Sequence, residues 1–286
     1  MATVVTLDVF SGMPNPTWHL SPAEEKELDE RIQASSTFSD TRPSGVVGGL
    51  GYRGFHLTRD VENAAASTRL FVHEGILDRG LGFPNYVAQP DIETWLLKTA
   101  GRAASDNVLE HVSSRIAGHP QNKFIGNLEA AGSCPTCHAA DAPAYNPGAW
   151  NVPAVQPYNN CYNYANNQQT NTFAQPGRAS GHPFAALTCP DVGSAAQSDG
   201  LRNSANFSAP LAPGAGWYVA LVIWPSQDYH WYRQDNVGCW SHKPGQTAVR
   251  NVDNAGQPIT DPQTCNRGPY TVLCTYMVTN RGVHIQ

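Results

Sequence analysis

The stretch that decides the fold reads WYVALVIW at residues 217–224, PSQD at 225–228, YHWYRQD at 229–235, NVG at 236–238 and CWSHKPG at 239–245. The first run is apolar and rich in β-branched and aromatic residues, which is typical of a buried strand. A turn follows, and the aromatic run after it has the composition of a second strand. The glycine-containing segment 236–238 fits a three-residue hairpin loop. The stretch therefore predicts three consecutive strands of a twisted antiparallel sheet.

The length of that loop decides whether two histidines meet. With three loop residues, Asp235 lies opposite Cys239. By the same register, Tyr232 lies opposite His242. Side chains alternate faces with a period of two, so His230 and His242 then share a face as diagonal neighbours. A loop one residue longer or shorter would place the two histidines on opposite faces.

A cysteine upstream of this hairpin is a candidate nucleophile. Residues 159–167 read NNCYNYANN, and Pro157 bars a helix before them. Asn159 or Asn160 can cap a helix over residues 160–168, which puts Cys161 in its first turn. Free backbone N–H groups and the helix dipole favour a thiolate at that position. The alternative is a buried or disulfide-bonded cysteine on a small amphipathic helix.

The order of these residues resembles the NlpC/P60 branch of papain-like cysteine hydrolases. The segment Asn-Cys-Tyr-x-Tyr-Ala around Cys161 is similar to the nucleophile helix of some bacterial and phage members, and the segment from His230 to Gly245 is similar to their base hairpin. The resemblance covers at most residues 155–286. It implies a papain-like unit with Cys161 as nucleophile, His230 as base and His242 as the residue that orients the base. The alternatives for the orienting role are Asp235, Asp253 and Asp261.

The implied activity is cleavage of an amide bond in a peptide, in peptidoglycan or in a protein side chain, or the reverse acyl transfer. The thiolate attacks the carbonyl, and the imidazole later protonates the leaving amine. The backbone N–H of Cys161 would contribute to an oxyanion hole. The candidates for a second donor are Asn159, Asn160 and Tyr158.

The other cysteines leave several alternatives open. The chain has seven cysteines, so at least one has no intrachain partner. Residues 133–138 read SCPTCH, a spacing also found at c-type haem attachment, but one short match arises often by chance. Cys134 and Cys137 can instead form disulfides, or share a zinc ion with His138, His119 or a distant cysteine. Further disulfides can join Cys265 with Cys274 and Cys189 with Cys239, although spacing does not fix the connectivity.

The chain divides by composition into three parts and is predicted to be α+β. Residues 1–125 combine strand patterns with capped helices, and they group no nucleophile, base and acid, so we expect a non-catalytic docking or substrate-presenting unit. Residues 126–157 are rich in Pro and Gly and form an irregular connection. Residues 158–286 form the papain-like unit. No cofactor is expected beyond the zinc alternative at Cys134 and Cys137.

Composition excludes several classes of partner. The net charge is −5 and no basic block occurs, which argues against nucleic acid. No apolar run approaches the roughly 18 residues of a membrane span. The first residues lack a secretory signal, so we expect a cytoplasmic protein, a mature form without its leader, or export without an N-terminal leader. The sequence does not fix the oligomeric state.

Two other functions are also compatible with the sequence. One is a non-enzymatic binding or toxin-like protein with an inert papain-like core, in which aromatic residues build a recognition surface. These residues are Trp217, Trp224, Trp231, Trp240 and the tyrosines between positions 145 and 164. The other is a metal-dependent enzyme that uses the histidines together with Cys134 and Cys137.

Overall fold

A computed structural model describes residues 2–38, 49–59, 68–79, 85–87, 91–118 and 133–286. It contains helices and antiparallel sheets, which confirms the α+β class. The chain forms two compact units. The first unit comprises residues 1–9, 15–47 and 52–124, and the second comprises 10–14, 48–51 and 125–286. Two short segments from the N-terminal part therefore belong to the second unit, which the sequence did not suggest.

The first unit is built on an antiparallel sheet of order β2-β1-β4-β5-β6-β7-β3. Its helix α1 begins after Ser21, whose side chain accepts from the Glu24 amide while the Glu24 side chain accepts from the Ser21 amide, which forms a capping box. A buried ion pair joins Asp8 and Arg53 at 2.6 Å. The elements are β1 (Thr3–Asp8), β2 (Thr17–His19), α1 (Pro22–Gln33), β3 (Ser36–Phe38), β4 (Gly54–Arg59), β5 (Thr68–His73), β6 (Ile76–Asp78), β7 (Asn85–Val87), α2 (Ile92–Thr99) and α3 (Asp106–Ala117).

The second unit is built on an antiparallel sheet of order β11-β10-β9-β12-β8. The predicted strands are present, and β9 and β10 are buried along their whole length because the sheet is covered on both faces. The elements are α4 (Pro147–Trp150), a 3-10 turn (Gln156–Tyr158), α5 (Cys161–Ala165), α6 (Cys189–Ser198), β8 (Arg202–Ser204), β9 (Trp217–Trp224), β10 (Asp228–Gln234), β11 (Trp240–His242) and β12 (Val272–Thr279).

The hairpin between β10 and β11 has the predicted register. Tyr232 pairs with His242, and the Asp235 amide donates to the Cys239 carbonyl at 2.8 Å. Gly238 closes the loop with a positive φ of 89°, a conformation that favours glycine. The three-residue loop therefore brings His230 and His242 to one face, as the sequence predicted.

Helix α6 lies in a stretch rich in Ser, Gly and Pro, a composition typical of a loop. It begins after Thr188, whose hydroxyl accepts from the Asp191 amide, and Pro190 occupies its first turn. These are ordinary helix-start signals. The helix contains many small residues, as loops do, so its composition did not indicate a helix despite these start signals.

The disulfides differ from the pairs suggested by spacing. Cys134 is bonded to Cys239, and Cys189 is bonded to Cys274. The suggested pairings of Cys189 with Cys239 and of Cys265 with Cys274 are therefore wrong. The bonded cysteines lie 105 and 85 positions apart, so the tertiary structure sets the connectivity. The free cysteines are Cys137, Cys161 and Cys265.

Replacing Gly216 with alanine is expected to destabilise the second unit by at least about 2 kcal/mol. Gly216 has a φ of 105°, and a Cβ there would lie 1.8 Å from the Thr279 carbonyl oxygen. Gly214 has a φ of 83° with no atom within 4 Å of a Cβ, so its alanine variant isolates the backbone strain, about 1 kcal/mol. Urea unfolding of both variants measures the difference. Equal losses would contradict the close approach to β12.

Candidate functional site

Helix α5 places Cys161 as the sequence predicted, at the first helical residue. The Asn160 side chain accepts hydrogen bonds from the Tyr162 amide at 3.0 Å and the Asn163 amide at 3.2 Å. The Asn163 side chain accepts in return from the Asn160 amide at 3.1 Å, which completes a capping box. The thiol is free and completely buried.

The two predicted histidines are in direct contact. His242 Nδ1 lies 2.9 Å from His230 Nε2, and His242 Nε2 lies 3.2 Å from the Val252 carbonyl oxygen. On the other side, His230 Nδ1 lies 2.5 Å from the Ser11 hydroxyl. Ser11, His230 and His242 are all buried. A serine from the N-terminal part of the chain thus joins the predicted pair.

The Val252 carbonyl sets the direction of the hydrogen bonds when both imidazoles are neutral. A carbonyl oxygen only accepts, so His242 Nε2 donates and His242 Nδ1 accepts from His230 Nε2. His230 Nδ1 then accepts the Ser11 hydroxyl proton. The Ser11 oxygen in turn accepts from the Gly245 amide at 3.3 Å. His230 therefore presents its basic nitrogen to Ser11.

The Cys161 thiol also contacts the Ser11 side chain. The result is a hydrogen-bonded chain from Cys161 through Ser11 and His230 to His242, which we call the buried relay. Burial raises the pKa of Cys161 to about 12, and the Asp228 carboxylate adds to the rise.

Opposing effects on that thiol are too weak to produce a thiolate. A hydrogen bond from the Trp231 backbone, the contact with Ser11 and the charge of Lys243 all lower the pKa of Cys161, but burial outweighs them. The helix dipole invoked from the sequence acts through a helix of five residues. The expectation of a lowered thiol pKa is therefore wrong, because the sequence did not show that the site is enclosed.

The segment of residues 10–14, which we call the Ser11 segment, encloses the relay. The Asp228 carboxylate accepts from the amides of Ser11, Gly12 and Met13, the last at 2.7 Å. It also accepts from the Tyr270 hydroxyl. Burial raises the pKa of Asp228 to about 6, and these hydrogen bonds oppose the rise. The backbone of the segment is therefore fixed by one buried carboxyl group.

The opposite side of the same segment is held through one carbonyl. The Gly12 oxygen accepts from Asn160 Nδ2 at 3.1 Å, from Gln175 Nε2 at 2.9 Å and from the Tyr229 hydroxyl at 3.4 Å. The α-carbon of Gly12 faces the Tyr229 ring so closely that a Cβ would lie 2.5 Å from it. Any larger residue at this position would clash with the Tyr229 ring, so only glycine fits.

The groups assigned to the oxyanion hole are engaged in the fold. Asn160 caps α5 and holds Gly12, as described above. Asn159 Nδ2 donates to the Val155 carbonyl at 2.8 Å and to the Asn171 side chain at 2.6 Å. The third candidate, Tyr158, is exposed. These contacts give the two amides structural roles.

The alternative orienting carboxylates also have other partners. Asp235 accepts two hydrogen bonds from Arg233, at 2.9 and 3.1 Å. Asp253 accepts from backbone amides of its own loop, among them Gln257 at 2.9 Å. Asp261 accepts from the Tyr276 hydroxyl. Among the residues proposed to orient His230, His242 contacts it directly.

The Cys134, Cys137 and His138 group does not present a set of zinc ligands. The Cys134 sulfur is bonded to Cys239 and so cannot ligate as a thiolate. Within the described residues, no group of three or more His, Cys, Asp and Glu side chains could hold a metal ion. His119, the other suggested ligand, lies outside the described residues.

Ser11 and Asp228 are members of the site that the sequence did not reveal. Residues 11–16 read SGMPNP, a pattern that predicts a turn after the first strand. Asp228 falls in the predicted turn before β10. No local pattern links positions 217 residues apart, so only the tertiary structure reveals that they meet.

A shell protein shares part of this sequence. Insoluble matrix shell protein 1 from Ruditapes philippinarum is 53% identical over 127 residues, which are 44% of this chain and 83% of that protein. This chain belongs to the family of that shell protein. No protein-family model and no solved structure match. The resemblance of this family member to NlpC/P60 hydrolases stays a prediction.

No helix among the described residues is long and apolar enough to cross a membrane.

The Cys161 thiol is expected to resist iodoacetamide at about pH 8 in the folded protein, because a thiol with a pKa of about 12 is about 0.01% ionised there. Labelling should appear only in urea, and mass spectrometry identifies the site. The folded state keeps this proton up to about pH 12, whereas the unfolded chain releases it near 9. The thiol's contribution to the free energy of unfolding therefore falls as the pH rises through that range. Rapid native labelling of Cys161 would show that the site opens.

Proposed function

We propose that this protein is a non-catalytic structural component of a secreted organic matrix. The observation that carries the proposal is its kinship with insoluble matrix shell protein 1, of which the chain covers 83%. The name of that relative describes an insoluble shell matrix protein. The proposal extends that role to this chain.

The enclosed state of the site supports a structural role. Cys161, Ser11 and His230 have no exposed surface, and the thiol is protonated at neutral pH. The candidate oxyanion donors Asn159 and Asn160 use their amide groups to hold the fold. A hydrolase needs an ionisable nucleophile that a substrate can reach. In this conformation the buried relay acts as a polar core that fixes the Ser11 segment.

Covalent and compositional features support secretion. Two disulfides join distant parts of the second unit, and such bonds persist in oxidising compartments. Only 14% of the residues are charged, compared with about 25% in typical soluble domains. A surface with few charges resists association less strongly.

Fractionation of the source tissue tests the proposal. Extracellular material is extracted with EDTA and then with mild acid, and the chain is quantified by mass spectrometry in every fraction. We expect it to be enriched in the extracellular residue that resists both steps, while a cytosolic marker enzyme is absent from that residue. Recovery of the chain with the cytosolic marker would contradict the proposal.

The buried relay favours one second candidate, a latent cysteine hydrolase that opens when the Ser11 segment moves. The Ser11 hydroxyl lies between the Cys161 thiol and the basic nitrogen of His230, so it connects them for proton transfer. Displacement of the segment would let the imidazole approach the thiol directly.

Turnover measurements separate the two candidates. The full chain is assayed with peptide and peptidoglycan amides, beside Cys161→Ser and His230→Ala variants. Hydrolysis that both substitutions abolish supports the hydrolase. Hydrolysis that neither substitution changes favours the structural role. The structural role is also favoured if the Asp228→Asn variant, in which the Ser11 segment is held less firmly, shows no hydrolysis.

A further inference from the structure

Three cysteines lie together at the end of the β10–β11 hairpin, apart from the buried relay. Cys134 is bonded to Cys239 with a Cα–Cα distance of 4.7 Å, and Cys137 is a free thiol three positions after Cys134. Two cysteines with this C-x-x-C spacing can close a disulfide with each other. The cluster therefore holds one existing disulfide and one alternative partner for it.

The backbone of Cys137 also lies against the residue that precedes Cys239. A Cβ on Gly238 would lie 3.1 Å from the Cys137 amide nitrogen and would overlap the Pro135 carbonyl oxygen. The segment 135–137 therefore packs directly on Gly238. Cys137 is next to Cys134 along the chain and next to Cys239 across the packing contact.

Burial separates Cys161 from the two other free cysteines, because Cys137 and Cys265 are both half-buried. Burial raises the pKa of Cys161 to about 12 and that of Cys265 to about 11, which suppresses both thiolates. Cys137 is half-buried, and its thiol lies 3.5 Å from the Ala139 carbonyl oxygen. Its neighbour Thr136 is exposed, so reagents reach this loop.

We propose that these three cysteines form a thiol–disulfide exchange site, with Cys137 as the attacking thiol and the Cys134–Cys239 bond as its disulfide substrate. Cys137 loses its proton to solvent, and its thiolate attacks the Cys134 sulfur. A Cys134–Cys137 bond forms as the Cys134–Cys239 bond breaks. The electron pair leaves on the Cys239 sulfur, which takes a proton from solvent. The step needs no oxidant or reductant, and it does not rest on the matrix role.

Disulfide mapping tests the exchange. The intact, non-reduced chain is incubated at about pH 8, where exchange is active, then alkylated with N-ethylmaleimide and digested with pepsin in acid to prevent scrambling. In the native chain we expect two species. One carries the label on Cys137, and the other carries it on Cys239 together with an internal Cys134–Cys137 bond.

Matched variants identify the attacking thiol. Cys137→Ser should lose the Cys239 label completely, whereas Cys265→Ser, which removes another half-buried thiol, should keep it. Cys137→Ala serves if the serine variant folds poorly, and circular dichroism verifies folding of each. A native chain labelled on Cys137 alone after prolonged incubation would overturn the proposal, as would Cys239 labelling that persists without Cys137.

Discussion

Replacing Asp228 with alanine is expected to lower the free energy of unfolding of the second unit by about 3–5 kcal/mol. The carboxylate accepts from the amides of Ser11, Gly12 and Met13 and from the Tyr270 hydroxyl. A buried donor that loses its acceptor costs the full free energy of its desolvation. Alanine removes the shared acceptor of these donors at once. Urea denaturation at neutral pH measures the loss.

Two further variants separate the shared acceptor from ordinary side-chain truncation. Tyr270→Phe removes one of the hydrogen bonds and should cost about 1–2 kcal/mol. Asp228→Asn keeps the shape of the side chain but turns an NH₂ group toward backbone donors, so it should fall between the other two. If Asp228→Ala costs no more than Tyr270→Phe, the carboxylate does not fix the Ser11 segment.

Removing the Cys189–Cys274 disulfide with a double alanine substitution is expected to cost about 3–5 kcal/mol. The bond ties the first residue of α6 to β12 across 85 positions of sequence. Without it, the unfolded chain gains the freedom of a long open loop. Thermal unfolding of the variant measures the effect, with Cys265→Ala as a control that changes a free cysteine.

Reductant provides an independent check on the disulfide prediction. Dithiothreitol should lower the melting temperature of the native chain by more than that of the double variant, because the variant retains only the Cys134–Cys239 bond. A double variant within about 1 kcal/mol of the native chain would contradict the expected constraint. It would indicate that β12 holds α6 through packing alone.

Local patterns predicted much of the second sheet and the positions of Cys161, His230 and His242. The apolar run of β9 and the three-residue loop after β10 specify strands and register through short-range rules. Helix α5 starts where Asn160 can cap it. The pairing of His230 with His242 followed from the register.

These short-range rules do not predict contacts between residues that lie far apart in the sequence. The Cys134–Cys239 bond spans 105 positions, and Ser11 meets His230 across 219. The protonation of Cys161 depends on burial by these distant segments, so the local signal for a thiolate was misleading. Burial of a site emerges only when every segment that covers it has been placed.

The Ser11 segment makes the second unit discontinuous along the chain, and this has consequences for how the unit is made. During synthesis, residues 10–14 leave the ribosome long before Asp228 and Tyr229 exist to receive them. Contacts of such long range slow folding, since the entropy of closing a long loop is lost before the contact forms. A fragment that starts at residue 125 would lack the peptide that satisfies Asp228 and Asn160. Residues 10–14, added as a separate peptide, would supply the missing contacts and complete the fold of this fragment.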